Sequence, residues 1–63
     1  MIEIECVYKT KEGEYKKVYK YFNSVSKAVA FLYAIKNSKT LHFTGDFTCD
    51  DEWELKEINR RFH

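Results

Sequence analysis

Cys6, His42, Cys49 and His63 are the residues whose side chains could hold a metal or act as nucleophile and base. Zinc sites made of thiolates and imidazoles bring their ligands as close pairs, about two to five residues apart. No two of these four residues have that spacing, so no metal ligand is expected. Cys6 alternates with Ile2 and Ile4, the position of a small buried hydrophobe. Cys49 precedes Asp50-Asp51-Glu52, which opens a helical pattern. Helix amides lower a thiol pKa, but three adjacent carboxylates oppose that. An inert thiol is the expectation, with no catalytic residue, no cofactor and no enzymatic role.

Asp46, Asp50, Asp51 and Glu52 offer oxygens to a divalent cation, yet the spacing of a calcium loop is missing. Helix capping and a solvated face account for them. As a surface they would also imitate nucleic-acid phosphates to a basic partner.

The remaining chemistry is recognition. Lys9, Lys11, Lys16, Lys17 and Lys20 interleave with Tyr8, Tyr15, Tyr19 and Tyr21. Lysines neutralise phosphates and exposed tyrosines stack on bases, so this stretch could grip single-stranded nucleic acid. The simpler reading makes the tyrosines core and the lysines guards of an edge strand.

Choosing between these depends on the elements that carry the residues. Met1 to Thr10 alternates strictly, with Ile2, Ile4, Cys6 and Tyr8 on one side, the period of a half-buried strand. Tyr15 to Phe22 is a second strand, rich in Tyr, Val and Phe. A two-residue turn at Glu12-Gly13 would set Tyr8 against Lys17, Val7 against Val18, Cys6 against Tyr19 and Ile4 against Tyr21. In that register Tyr15, Tyr19 and Tyr21 join the core face. The opposite face then carries Val7 and Val18, a Glu5–Lys20 pair, and Lys9, Lys16 and Lys20 as a modest basic patch for nucleic acid.

Asn23 or Ser24 caps a helix from Val25 to about Asn37, with Val25, Ala28, Phe31, Leu32 and Ile35 on one stripe. Lys39 to Phe47 reads as a third strand, interrupted at Gly45 by a bulge or tight turn. The last segment, from Cys49 to Phe62, reads better as a helix than as a strand. Leu55, Ile58 and Phe62 share a narrow stripe, acids crowd its start, and Arg60 and Arg61 its end. Asp51 and Glu54 have capping-box spacing. The expected fold class is α+β: a β-β-α-β-α domain with a three-stranded antiparallel sheet, order 2-1-3, and an amphipathic helix packed on one face.

Trp53 stands off the final stripe and is expected to fold back on the sheet edge. If exposed, it is the best anchor for a partner. Val7, Val18, Phe22 and Trp53 are accordingly the candidate protein-binding residues. The Val7–Val18–Phe22 face counts as an interface unless the last helix covers it.

Composition bounds the rest. A chain of 63 residues holds one domain. So small a chain buries little surface, and five Tyr, five Phe and one Trp compensate with large apolar area. A homodimer would extend the core in the same way, and both monomer and dimer fit this size. Lys9 to Lys39 carries eight Lys against Glu12 and Glu14, while Thr40 to His63 has a net charge of −3. The chain is dipolar in sequence although its net charge is only +1. The start lacks a secretory leader pattern, no apolar run is long enough to span a bilayer, and no disulfide framework is evident. A cytoplasmic protein with free thiols, without membrane association, is expected; a single Cys6–Cys49 bridge is the alternative.

In size and in Lys/Tyr/Phe/Asn-rich composition the chain resembles the small accessory reading frames of phages and prophages in AT-rich bacteria. That resemblance implies no site residue. Taken together, the sequence points to a non-enzymatic protein-interaction module with an unidentified protein partner, such as a host protein it modulates. The alternative is a nucleic-acid binder using the hairpin lysines.

Overall fold

Alternating apolar residues in the first strand, two short helical stripes and an interrupted third strand build a two-layer α+β structure. The computed structural model describes residues 1–62. The order is β1 (Ile2–Lys9), β2 (Tyr15–Phe22), α1 (Val25–Ile35), β3 (Leu41–Cys49) and α2 (Glu52–Arg61). The sheet is antiparallel with order β2-β1-β3, as the alternation and connection lengths predict.

Ile2, Ile4 and Cys6 from the central strand are buried together with Val25, Ala28, Val29, Leu32 and Ile35 of α1 and Ile58 of α2. Because these residues form one cluster, both helices cover the same side of the sheet. Val29, outside the five residues of the expected stripe, is buried with them. Ser24 caps α1, its Oγ accepting a bond from the Lys27 amide at 3.2 Å. None of the described helices is long and apolar enough to cross a membrane.

The hairpin turn differs from the expected one. Thr10 N donates to Glu14 O at 2.7 Å and Gly13 N donates to Thr10 O at 3.0 Å. The loop is therefore Lys11-Glu12-Gly13, three residues long, with Gly13 at φ +86°. A turn followed by one left-handed residue is the favoured geometry for that length. The extra residue moves the register by one. Cys6 faces Val18, Ile2 faces Phe22, Glu5 faces Tyr19 and Glu3 faces Tyr21.

A one-residue shift turns every side chain of β2 to the other side. Val18 and Phe22 therefore point towards the helices, where both are half-buried against the core. Phe22 packs on Phe31 of α1 with ring centroids 5.0 Å apart. Tyr15, Tyr19 and Tyr21 are not core residues: they project from the opposite side. The expected Val7–Val18–Phe22 patch is accordingly divided, with Val7 alone on the side away from the helices.

β3 bulges opposite Glu5, where the register shifts between the Ile4 and Cys6 pairs. Gly45 at φ +100° makes the bend that a residue with a Cβ would resist. Thr44 Oγ1 donates to Glu5 O at 3.3 Å and holds the bulge against β1. Two extra residues keep the alternation in phase, so Leu41, Phe43, Phe47 and Cys49 all face the helices.

α2 is a helix, but it is rotated from the expected stripe. Glu54 and Ile58 are buried and Phe62 packs edge-on against Phe43 and Tyr33, whereas Leu55 is exposed. Tyr33 Oη donates to Arg61 O at 2.8 Å. These contacts fix the rotation by the end of the helix rather than by Leu55. Asp51 occupies the N-cap without a side-chain cap bond, so the capping box does not form.

Candidate interaction face

Among the described residues, neither helix covers the side of the sheet away from the core. Glu3, Glu5, Val7 and Lys9 line its central strand, Tyr15, Lys17, Tyr19 and Tyr21 one flank, and His42 and Thr48 the other. Tyr15 is 63% exposed, Tyr19 43% and Tyr21 58%. Three phenol rings on one strand of an open sheet form a large amphipathic surface, apolar across the ring and polar at the tip.

Charges are interleaved with these rings. Glu5 is half-buried and receives a hydrogen bond from Tyr19 Oη at 3.4 Å, with Lys17 Nζ at 4.0 Å. The Glu3 carboxylate beside Tyr21 holds that phenol above its usual range. Lys9 Nζ stands 6.0 Å from the centre of the Tyr15 ring, at the outer limit of a cation–π contact. Acid thus sits near the N-terminal end of β1 and base near the hairpin tip.

The basic residues proposed for nucleic acid do not share a face. Lys9 projects from the open side, opposite Tyr15. Lys16 and Lys20 project from the helix side of β2, opposite Tyr8 and Ile4. Lys17, on the open side, replaces them next to the tyrosines.

Trp53 does not fold back on the sheet. It is 60% exposed on the first turn of α2. It points away from the core because its neighbour Glu54 takes the inward position.

That position is chemically unusual. Glu54 is 6% exposed and its Oε1 has no hydrogen-bond partner among the described residues. It lies near Cys49, whose thiol is pushed up by burial and then by the Glu54 carboxylate. Cys6 is pushed up by burial as well. Both cysteines are free thiols. High thiol pKa values favour the neutral, unreactive form.

His42 and Cys49 do not meet. His42 pairs with Val7 on the open side, while Cys49 pairs with Ile2 at the far end of β3 and faces the helices. His63 lies outside the described residues. Among the described residues no group of His, Cys, Asp or Glu gathers as metal ligands, and no pocket opens on the surface.

The alternation of β2 contained the signal for the tyrosine face. Val18 and Phe22 share one parity and Tyr15, Tyr19 and Tyr21 the other. No protein-family model, curated protein or solved structure matches this chain.

Proposed function

We propose that this protein is a small non-enzymatic protein-interaction module that docks through the open face of its sheet. The observation that carries this reading is the display of Tyr15, Tyr19 and Tyr21 on a side that neither helix covers. Tyrosines supply contact area at little entropic cost and are enriched where protein surfaces meet. Interleaved Glu3, Glu5, Lys9 and Lys17 supply orientation and selectivity. Free thiols at Cys6 and Cys49 support a reducing compartment, the cytoplasm. The compositional likeness to phage accessory frames supports a role as a modulator of a host protein.

Tyr19→Ser combined with Tyr21→Ser tests the reading. The double variant keeps its circular dichroism spectrum, since neither ring belongs to the core, and loses crosslinking to other chains. Unchanged crosslinking would refute the role of the face.

A second reading is favoured by one observation: Lys17 and Lys9 stand beside outward-facing rings, as in a stacking platform for single strands. Glu3 and Glu5 on the same face repel phosphates and weigh against it. A gel shift at low salt discriminates the two. Binding to single-stranded nucleic acid that fades with salt supports the second reading, and no binding dismisses it.

A further inference from the structure

The open face is segregated by charge along its strands. Successive rows carry Glu3 with Tyr21, Glu5 with Tyr19, Val7 with Lys17 and His42, and Lys9 with Tyr15. Acids occupy one half and lysines the other. The midpoint falls on the Cys6–Val18 pair, whose own side chains point to the helices.

Such a face can be laid on a copy of itself about a two-fold axis in either of two directions. An axis along the strands places Glu3 over Glu3 and Lys9 over Lys9, which repels. An axis across the strands, passing at Cys6 and Val18, reverses the rows. Glu3 then lies over Lys9 of the second copy, Tyr21 over Tyr15, and Tyr19 over Lys17. Each of these contacts occurs twice and joins acid to base, ring to ring or cation to ring, while Glu5 lies over Val7 with its carboxylate held by Lys17 and Tyr19 of its own chain.

We infer that the occupant of the open face is a second copy of this chain, packed sheet on sheet with antiparallel strands. Aligned sheets pack about 10 Å apart and cross at about −30°, a gap that Glu and Lys side chains span together. Edge pairing between two β2 strands is the poorer arrangement. An antiparallel register centred on Val18 would set Lys16 against Lys20 and repel. The open face measures about 14 Å across three strands and about 26 Å along them. That is less than the roughly 800 Å² per partner of a standard interface, so the dimer is weak and reversible.

The inference rests on the open face being a docking surface, and its test separates the two claims. Sedimentation equilibrium of the full chain, from about 10 μM to about 1 mM, is expected to show a monomer–dimer equilibrium. Glu3→Lys alone and Lys9→Glu alone each weaken dimerisation by at least about tenfold. Mixing the two variants restores it. The introduced lysine of one chain then meets the introduced glutamate of the other, and the unchanged Lys9 of the first meets the unchanged Glu3 of the second. A chain carrying both substitutions also recovers. A strictly monomeric protein, or association indifferent to these reversals, overturns the inference. If the protein is monomeric but Tyr19→Ser with Tyr21→Ser still abolishes crosslinking to other chains, the docking face stands and only the second copy is lost.

Discussion

Cys6 lies directly opposite Val18 in the β1–β2 ladder, and both side chains point into the layer beneath the helices. That single pairing places Tyr19, the next residue of β2, on the other side of the sheet beside Glu5. The tyrosine-bearing open face of the sheet follows from it.

The pairing is set by a three-residue loop that needs Gly13 at positive φ. Gly13→Ala should cost about 1–2 kcal/mol by urea unfolding, the usual penalty for a side chain in the left-handed region. Space is not the obstacle: a Cβ there would meet only Lys9 Cε at 4.0 Å. An unchanged midpoint would mean that the loop has another shape.

Elements and strand order are legible in the sequence because β1 and α1 are cleanly amphipathic. Ile2, Ile4 and Cys6 alternate, and Val25, Ala28, Leu32 and Ile35 recur at helical spacing. β2 is harder because it has candidate core residues of both parities. Tyrosine is large enough to fill a core and polar enough to face water. Val18 and Phe22 take the inside since they have no hydroxyl to keep solvated, while the turn length that enforces this choice leaves little trace in composition. α2 misleads for a related reason. Leu55 looks like a core residue, but the Phe62–Phe43 and Tyr33–Arg61 contacts turn Glu54 inward instead.

The rotation of α2 makes a sharp contrast between two aliphatic residues. Ile58→Ala should destabilise by about 2–5 kcal/mol, as for other fully buried aliphatics. Leu55→Ala should change stability by less than about 0.5 kcal/mol, the range of surface sites. Equal losses in chemical denaturation would contradict the observed rotation.

Glu54 keeps a carboxylate oxygen inside without a partner among the described residues. An unsatisfied buried acceptor costs about 1–3 kcal/mol, so Glu54→Met, similar in volume and apolar, should raise the unfolding midpoint. A marked loss of stability would show that the carboxylate serves a partner in solution.

Glu3 raises the pKa of Tyr21 on the open face. A phenol raised in the folded state contributes stability that is fully present below its unfolded pKa. That contribution disappears as pH rises through the folded pKa. Glu3→Gln should therefore lower the Tyr21 titration, read by ultraviolet difference absorbance, and shrink the alkaline loss of stability. An unmoved titration would separate the two residues.

At the other end of the pH scale, Arg60 bonds both oxygens of Glu57 at 2.8 Å and holds that carboxyl below its ordinary value. Its contribution is present above the unfolded pKa and fades as pH falls through the folded one. Arg60→Gln should flatten the acid limb of the stability profile slightly, the pair being exposed. An acid limb identical in the two proteins would mean that the pair adds nothing.

The claim that Tyr19 stands on an open docking face is tested most directly by a photo-crosslinking amino acid placed there. The same probe at Ala30, on the exposed side of α1, is the control. A docking face at Tyr19 gives crosslinked adducts, with a second copy or another protein, from position 19 and few or none from position 30. Equal labelling from both positions, or none from position 19, would contradict it.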